Sequence, residues 1–438
     1  MPETILNNHH NNYTKNSFER FIPILFLIII FRFLITCLKP YTIDMAGYVA
    51  WSKYLAEFGP KQFYGASGFH VVYAPFFQYF LWLTGEIADT LSASAALHSY
   101  MIKLWSVLFE FIGALLIISI SKKANKTETG IIFALIYLIN PGIYINSSVW
   151  GQFDSIPATL LIGVIVLFEN KKHNLAALLF LIAVLTKPQS GLLLPVVLYL
   201  YFRDTRFDLK SFIRILTGFI SGLLIYYAIV LPFYLPTSLA DRLPSFIDPL
   251  YWIFELYTKS IKDYPYATAN AFNLWFLLGG QIQPDILPFL GLSYFAWGNI
   301  FMLAALLYAF VCLLKGKGSI NAIAYFAYLI QFSAFFFMTR MHERYLLPAI
   351  TFITLASVFE KQHRLTLCML SISVFINHLY LYIISFGEVY WLERRDSLGM
   401  LFSFLVLATY ALSLYQGYIS FIKTDGNIRG EKNDWKNK

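Results

Sequence analysis

Charged residues are scarce in this sequence. Asp, Glu, Lys and Arg make up 13% of its 438 residues, whereas an average soluble domain carries about 25%. A water-soluble globule of this length could not cover its surface with so few charges. Cysteine is also rare, because only Cys37, Cys312 and Cys368 occur, all inside apolar runs and without CxxC spacing. These absences exclude soluble enzymes, nucleic-acid binders and secreted disulfide scaffolds.

Several sequence motifs of well-known catalytic sites are missing as well. The chain has no P-loop, no GxGxxG after a strand, no HExxH and no DxD. The missing DxD argues against an enzyme that uses a nucleotide sugar held by a metal ion. We therefore expect a site that needs neither a metal nor a cofactor.

Apolar and aromatic residues are what the chain has in abundance. Hydrophobic residues make up 58% of it and aromatic residues 18%, and runs such as FIPILFLIIIFRFLITCL are suited to crossing a bilayer as helices. The sequence predicts an all-α polytopic membrane protein with one transmembrane domain over 21–421, between polar cytoplasmic tails at 1–20 and 422–438. The twelve predicted spans are 21–38, 99–120, 130–146, 153–169, 174–187, 190–202, 214–234, 290–314, 320–338, 345–360, 365–386 and 398–421.

The distribution of Lys and Arg predicts the orientation of these spans. With twelve spans, most of the basic residues fall in the cytoplasmic tails and short loops on the same side, as the positive-inside rule requires. The net charge of +8 is thus attributed to topology, and no nucleic-acid partner is expected. Residues 71–88 are apolar enough to span, but a span there would invert every later basic loop. We therefore predict that 39–98 is one long external loop containing two helices along the membrane surface.

Five unusual polar strings converge on the predicted external face, which indicates a site at the level of the lipid headgroups. The alternative is that these residues merely cap helices where the helices leave the membrane. The strings are TIDMAGYVAW (42–51), SVWGQFDS (148–155), TKPQ (186–189), YPYATANAFNLW (264–275) and TRMHERYLLP (339–348).

The acidic and basic residues of these strings suit a transfer from a lipid phosphate. Asp44 is the candidate general base, with capping of the surface helix as its alternative role. Arg344, with His342 beside it, is the candidate for binding the donor phosphate, because guanidinium groups bind phosphate oxygens in a bidentate manner. Lys187 supplies a second positive charge, or else extends to the interface. One carboxylate suffices for such a reaction, because a phosphate ester leaves as a stable anion.

The remaining polar residues are candidates for binding the sugar or the acceptor. Gln152 and Asp154 have side chains that can hydrogen-bond hydroxyl groups, and Trp150 can stack on a sugar face. Capping of a helix is the alternative for Asp154. The other candidates for this role are Tyr48, Gln189, Asn270, Asn273 and Glu343.

Taken in order, the strings IDMAGYVAW, GPKQFYG, YAPFFQYFLW, WGQFDS, TKPQ, NAFNLW and MHERYL resemble the C-type glycosyltransferase superfamily. More narrowly, they resemble prokaryotic mannosyltransferase-like proteins related to the enzyme that adds the second mannose to GPI anchors. The resemblance covers roughly residues 20–420, and WGQFDS and MHERYL are its specific strings. It implies a polyprenyl-phosphate sugar donor, reaction on the non-cytoplasmic face with inversion, and Asp44 as the base.

From this resemblance we expect a hexosyltransferase, such as a mannosyltransferase, that acts on a glycolipid or lipid-linked glycan acceptor. The chain lacks the large soluble C-terminal domain of oligosaccharyltransferase-like relatives, which makes peptide acceptors a poorer expectation. A bacterial plasma membrane is the expected location, with an ER membrane as the alternative. The competing hypothesis is a polytopic transporter or a flippase for lipid-linked glycans, whose ionisable groups would lie near the middle of the bilayer.

Overall fold

The computed structural model describes residues 19–203, 205–206 and 208–423, and most of them are helical. Most of both predicted polar tails therefore lies outside the described residues. The α-helices are α1 Ile22–Thr36, α2 Thr42–Phe58, α3 Pro75–Thr90, α4 Ala95–Lys123, α5 Thr127–Leu138, α6 Pro141–Tyr144, α7 Ser155–Glu169, α8 His173–Thr186, α9 Leu194–Arg203, α10 Leu209–Val230, α11 Asp248–Lys262, α12 Leu274–Leu277, α13 Tyr294–Lys315, α14 Ile320–Phe337, α15 Leu347–Phe359, α16 His363–Ser385 and α17 Ser397–Gly417.

Shorter elements join these helices. Strands β1 Pro288–Phe289 and β2 Leu292–Ser293 form a two-stranded antiparallel hairpin. Short 3₁₀-helices cover Phe63–Gly65, Pro188–Leu193, Leu231–Phe233 and Glu343–Leu346, and π-helical turns cover Ile145–Trp150 and Tyr418–Ile422.

Six helices in the described part of the chain are long and apolar enough to cross a membrane, judged by length and composition. They are Ala95–Lys123, Leu209–Phe233, Tyr294–Lys315, Ile320–Phe337, His363–Ser385 and Ser397–Ile422. A seventh span results if Thr127–Leu138 and Pro141–Trp150, which are bent by 41° relative to each other, are counted as one broken helix. The prediction of a helical, multi-span architecture agrees with this finding.

Twelve spans remain a prediction. Each predicted span overlaps a helix of the structure, but several of these helices are short. Helix α7 has 15 residues and α15 has 13, which at about 1.5 Å per residue gives roughly 20 Å. A bilayer core is about 30 Å thick, so these helices do not span it by their own length.

The candidate spans differ in how far the rest of the protein encloses them. In α14 89% of the apolar window is buried, whereas in Leu209–Phe233 only 11% is buried, so α14 lies inside the bundle and α10 at its edge. Gly218 in α10 allows close packing against α8, because an added Cβ would lie 2.9 Å from the Asn174 Oδ1 atom. Gly218 and Gly222 form a GxxxG pair. Its first glycine, Gly218, thus allows two helices of the same chain to pack closely.

The two helices predicted within 39–98 are present as α2 and α3. They pack so closely that a Cβ on Gly85 would come within 2.2 Å of the Ser52 carbonyl oxygen. Ser52 also donates a hydrogen bond to the carbonyl oxygen of Leu81 at 2.6 Å. The predicted location of these helices along the membrane surface stays a prediction.

Candidate active site

The WGQFDS string has an irregular backbone. A π-helical turn, Ile145–Trp150, ends at Gly151, which has a φ of 96°. This left-handed conformation favours glycine, and a Cβ here would also lie 2.4 Å from the Met45 Cε atom. The resulting turn directs Trp150 and Gln152 towards α2.

Asp44 receives these two side chains. The Trp150 indole Nε1 donates to its Oδ2 atom at 2.8 Å, and the Gln152 Nε2 donates to the same oxygen at 2.5 Å. Asp44 is the third residue of α2, whose N-cap is Tyr41 and has no side-chain cap. The alternative role of Asp44 as a helix cap is therefore wrong, and its Oδ1 atom has no hydrogen bond to any described residue.

Three residues expected to bind sugar hold Asp44 in place. Tyr48 is buried and donates to the Gln152 Oε1 at 3.0 Å, which orients the Gln152 amide with its nitrogen towards Asp44. Trp150 is buried as well, and Tyr41 stacks on its indole at a centroid distance of 4.0 Å. The polar atoms of these side chains and one face of the indole are thus in contact with protein groups, and the sugar-binding roles of Tyr48, Trp150 and Gln152 stay predictions.

Asp154 and Lys187 form a buried ion pair. The Lys187 ammonium donates to Asp154 Oδ1, and both side chains are 3% exposed. The same ammonium lies over the rings of Phe153 and Tyr345 at 5.2 and 5.1 Å. Asp154 is the N-cap residue of α7, but its side chain accepts no backbone amide there. Its two carboxylate oxygens are bonded to Lys187 and Asn146, and its sugar-binding role stays a prediction. The Lys187 charge is compensated by Asp154, so Lys187 is no free phosphate ligand.

Glu343 and Arg344 form a second buried pair. Arg344 Nη1 donates to Glu343 Oε1 at 2.7 Å, so Glu343 positions the guanidinium, and its role as a sugar contact stays a prediction. The other edge of the guanidinium is open, since neither Nε nor Nη2 bonds to a described residue and Nε is buried. Because a guanidinium binds phosphate with two parallel N–H groups, this edge supports the predicted phosphate-binding role of Arg344.

His342 is buried beside these charges. Burial lowers the pKa of His342 well below its ordinary range, and the charges of Arg344 and Lys187 lower it further. The imidazole is therefore neutral near pH 7. It can offer a phosphate one N–H group but no charge.

Asn270 and Asn273 are structural. Asn270 Nδ2 donates to the Tyr390 carbonyl at 2.8 Å, and its Oδ1 accepts from Gln281 Nε2 at 2.6 Å and from Leu392 N at 3.1 Å. Asn273 is the N-cap of α12 and donates to the Phe335 carbonyl at 3.1 Å. Both the oxygen and the nitrogen of each amide thus bond to protein groups, and the sugar-binding roles of the two residues stay predictions.

Gln189 keeps an unused polar atom. It lines a cavity of about 340 Å³ between the Pro188–Leu193 turn, the end of α11 and the start of α13. Its Oε1 is buried and has no hydrogen-bond partner among the described residues. His342 and Tyr345 line the same cavity, so one phosphate candidate, His342, and Gln189 face one space.

The charges of the site are unevenly paired. Asp44 acts electrostatically on Arg344, Glu343 and Lys187, which places all five ionisable groups in one cluster together with Asp154. Asp154 is paired with Lys187 and Glu343 with Arg344. Among the described residues, Asp44 has no cation bonded to it and only neutral donors. It is therefore the carboxylate of this cluster that has no ion-pair partner among the described residues.

Sequence reasoning missed several residues of the site. Tyr73 lies within electrostatic reach of Asp44, Asp154 and Arg344, although its string contained no signal beyond an aromatic residue. Asn146 donates to Asp154 Oδ2 at 3.3 Å and lies 3.1 Å from His378 Nε2. Polar residues inside apolar spans are costly and often functional, so Asn146 and His378 were detectable in principle.

No group of three His, Cys, Asp or Glu residues is arranged to hold a metal ion within the part of the chain that the structure describes.

Comparisons with known proteins give little at the level of sequence. No family model matches the chain, and no curated protein matches it. Among solved structures, the chain is similar to the Archaeoglobus fulgidus oligosaccharyltransferase tethered to an acceptor peptide, with 16% identity and a TM-score of 0.43 over 90% of this chain and 55% of that one. The apo form of the same protein gives 15% identity and a TM-score of 0.42 over 90% and 56% of the two chains. The chain thus spans little more than half the length of that enzyme.

Proposed function

We propose that this protein is a membrane glycosyltransferase of the C type that moves a sugar from a polyprenyl-phosphate donor to a hydroxyl group of a lipid-linked or glycolipid acceptor. The observation that carries the proposal is the pairing of charges in the site. Asp44 is a carboxylate without a bonded cation, and Arg344 beside it has an unused guanidinium edge. A base and a phosphate ligand in one cluster are what such a transfer needs.

In the proposed reaction, Asp44 accepts the proton of the acceptor hydroxyl at its free Oδ1 atom. The hydroxyl oxygen attacks the anomeric carbon of the donor, and the bond from that carbon to the phosphate oxygen breaks. The lipid phosphate leaves with the electron pair, and the free edge of Arg344 stabilises its charge. Attack opposite the leaving group inverts the anomeric carbon, and no acid is required.

The neighbouring residues support these two roles. Trp150 and Gln152 fix the Asp44 carboxylate so that one oxygen faces away from the protein donors. His342 adds a neutral N–H group near the phosphate, and Gln189 offers an unpaired amide oxygen to a donor or acceptor hydroxyl. A hexose such as mannose is the proposed sugar. The proposed site faces the non-cytoplasmic side of a bacterial plasma membrane, or of an ER membrane as the alternative.

The transporter hypothesis requires ionisable groups along a path through the bilayer. Arg32 and Glu110 are a basic and an acidic residue deep in the predicted spans, and they form a fully buried ion pair with each other. Both side chains also form hydrogen bonds with hydroxyl or carbonyl groups of the protein. A pair anchored in this way supports a fixed structural element better than a substrate path.

The test is an assay of the purified full-length protein, reconstituted in lipid nanodiscs, with a panel of radiolabelled polyprenyl-phosphate sugars and a native lipid extract. Transfer of label to a lipid product that is lost in Asp44→Asn supports the proposal. If no sugar of the panel is transferred, while reconstituted vesicles move a lipid-linked glycan across the bilayer, the protein is a flippase instead.

A further inference from the structure

Two opposite charges lie buried beneath the site, inside the helix bundle. Arg32 of α1 and Glu110 of α4 have fully buried side chains and form an ion pair. Charges at this depth in a membrane are costly. A buried pair often contributes no more stability than apolar residues of similar volume would, so stability alone does not account for this one.

The side chains of the pair form hydrogen bonds with the short segment 147–155 and with the end of α5. Arg32 Nη2 donates to Ser147 Oγ at 3.2 Å and to Ser148 Oγ at 2.9 Å, and its Nη1 donates to the Leu138 carbonyl at 2.9 Å. Glu110 Oε1 accepts from Ser155 Oγ at 2.5 Å. The ion pair thus holds segment 147–155 at both of its ends.

This segment has little regular structure to hold itself. It contains the end of the π-helical turn and the left-handed Gly151, and irregular backbone at membrane depth persists only where protein groups satisfy it. Two further residues of α4 do so, since Lys103 donates to the Ser148 carbonyl at 3.0 Å and Ser106 donates to the Gln152 carbonyl at 2.9 Å. Hydrogen bonds from side chains of α1 and α4 therefore hold the segment in place.

The same segment carries the two donors that hold the proposed base. Trp150 lies two residues after Ser148, and Gln152 lies three residues before Ser155, so both are between the anchored ends. We propose that Arg32 and Glu110 are positioning residues, which fix this segment so that Trp150 and Gln152 meet Asp44. This inference rests on the proposed function for its catalytic consequence, but its structural part stands on the hydrogen bonds alone.

The test is the double substitution Arg32→Met/Glu110→Met in the full-length protein in nanodiscs. It removes both charges together, so no unpaired charge remains and the melting temperature should stay near that of the wild type. Hydrogen exchange of amides 147–152 should accelerate at least about tenfold, because the anchors from Arg32 and Glu110 are gone and only those from Lys103 and Ser106 remain. The kcat should fall by about 10- to 100-fold, with the donor KM changed by less than about threefold, because the base and not the donor site is misplaced.

The matched control is Thr366→Val/Gln416→Leu, which removes another buried polar pair, between α16 and α17. It should leave exchange in 147–152 and kcat unchanged. If the Met pair does not fold, Ser147→Ala/Ser148→Ala removes the anchored hydroxyls and keeps the charges, and the same changes are expected.

Normal exchange in 147–152 in a folded variant would overturn the positioning role, and so would faster exchange with an unchanged kcat. The two proposals fail separately. Should the wild type transfer no sugar, the glycosyltransferase proposal falls, and hydrogen exchange alone then decides whether the ion pair anchors the segment.

Discussion

Replacing Asp44 by Asn tests the proposed base with little change of shape. The asparagine Oδ1 can still accept hydrogen bonds from Trp150 and Gln152, which now bond to Asp44 Oδ2. The variant cannot take a proton from the acceptor at neutral pH. Binding of the donor should persist, because the open edge of Arg344 is untouched.

The expected effects of Asp44→Asn on turnover and on stability differ in size. General-base catalysis contributes about 10²- to 10⁴-fold, which corresponds to roughly 3–5 kcal/mol of barrier. The structural cost is smaller. Two charge-assisted hydrogen bonds become neutral ones, and since the former are about twice as strong, the loss is about 1 kcal/mol each, or about 2 kcal/mol in total. Relief of the partly buried charge offsets part of this cost, so turnover should fall far more than stability.

The assay measures single-turnover transfer, donor affinity and melting temperature on the same nanodisc preparation. Asp89→Asn is the matched control, since Asp89 is an exposed carboxylate at the end of α3, and it should leave all three unchanged. Turnover of Asp44→Asn within threefold of the wild type would remove Asp44 from the mechanism. A melting temperature that collapses together with turnover would show a structural residue instead of a base.

Arg344→Lys keeps the charge but loses the Nε–Nη2 edge, so we expect the donor KM to rise by about tenfold, or about 1.4 kcal/mol; an unchanged KM would disprove the phosphate contact. His342→Gln removes a buried neutral imidazole whose pKa is depressed in the folded protein. The unfolded chain binds a proton below about pH 6.5 that the folded chain does not, so the wild type loses stability as pH falls below that value, and the melting temperature of His342→Gln should fall less steeply. Parallel curves would contradict a neutral His342. Gly65→Cys and Ala95→Cys, made separately in a background without the native cysteines, should both react with a membrane-impermeant thiol reagent in intact cells, because both positions are exposed and lie in the predicted external loop; reaction at only one would mean that residues 71–88 cross the bilayer.

Local composition determined the helices of this protein. Each apolar run, including the two in the predicted external loop, formed a helix, because in lipid an unpaired backbone amide is costly and a helix satisfies its own. Residues 71–88 also formed a helix, Pro75–Thr90. This helix is not among those that are long and apolar enough to cross a membrane. The strings WGQFDS and MHERYL were recognisable in the same way, as polar clusters that interrupt apolar sequence.

Which atom of each polar residue is free was decided by tertiary structure alone. Asp44 and Gln152 are 108 positions apart, and Lys187 and Asp154 are 33 apart, and no local pattern encodes such contacts. The side chains of Asp44 and Gln189 each keep an atom without a hydrogen bond to a described residue. Asp154 and Asn273 are equally polar, yet their side chains form hydrogen bonds within the protein. A buried polar group must find a partner, and whether that partner is protein or substrate depends on how the helices pack, which is a property of the whole bundle.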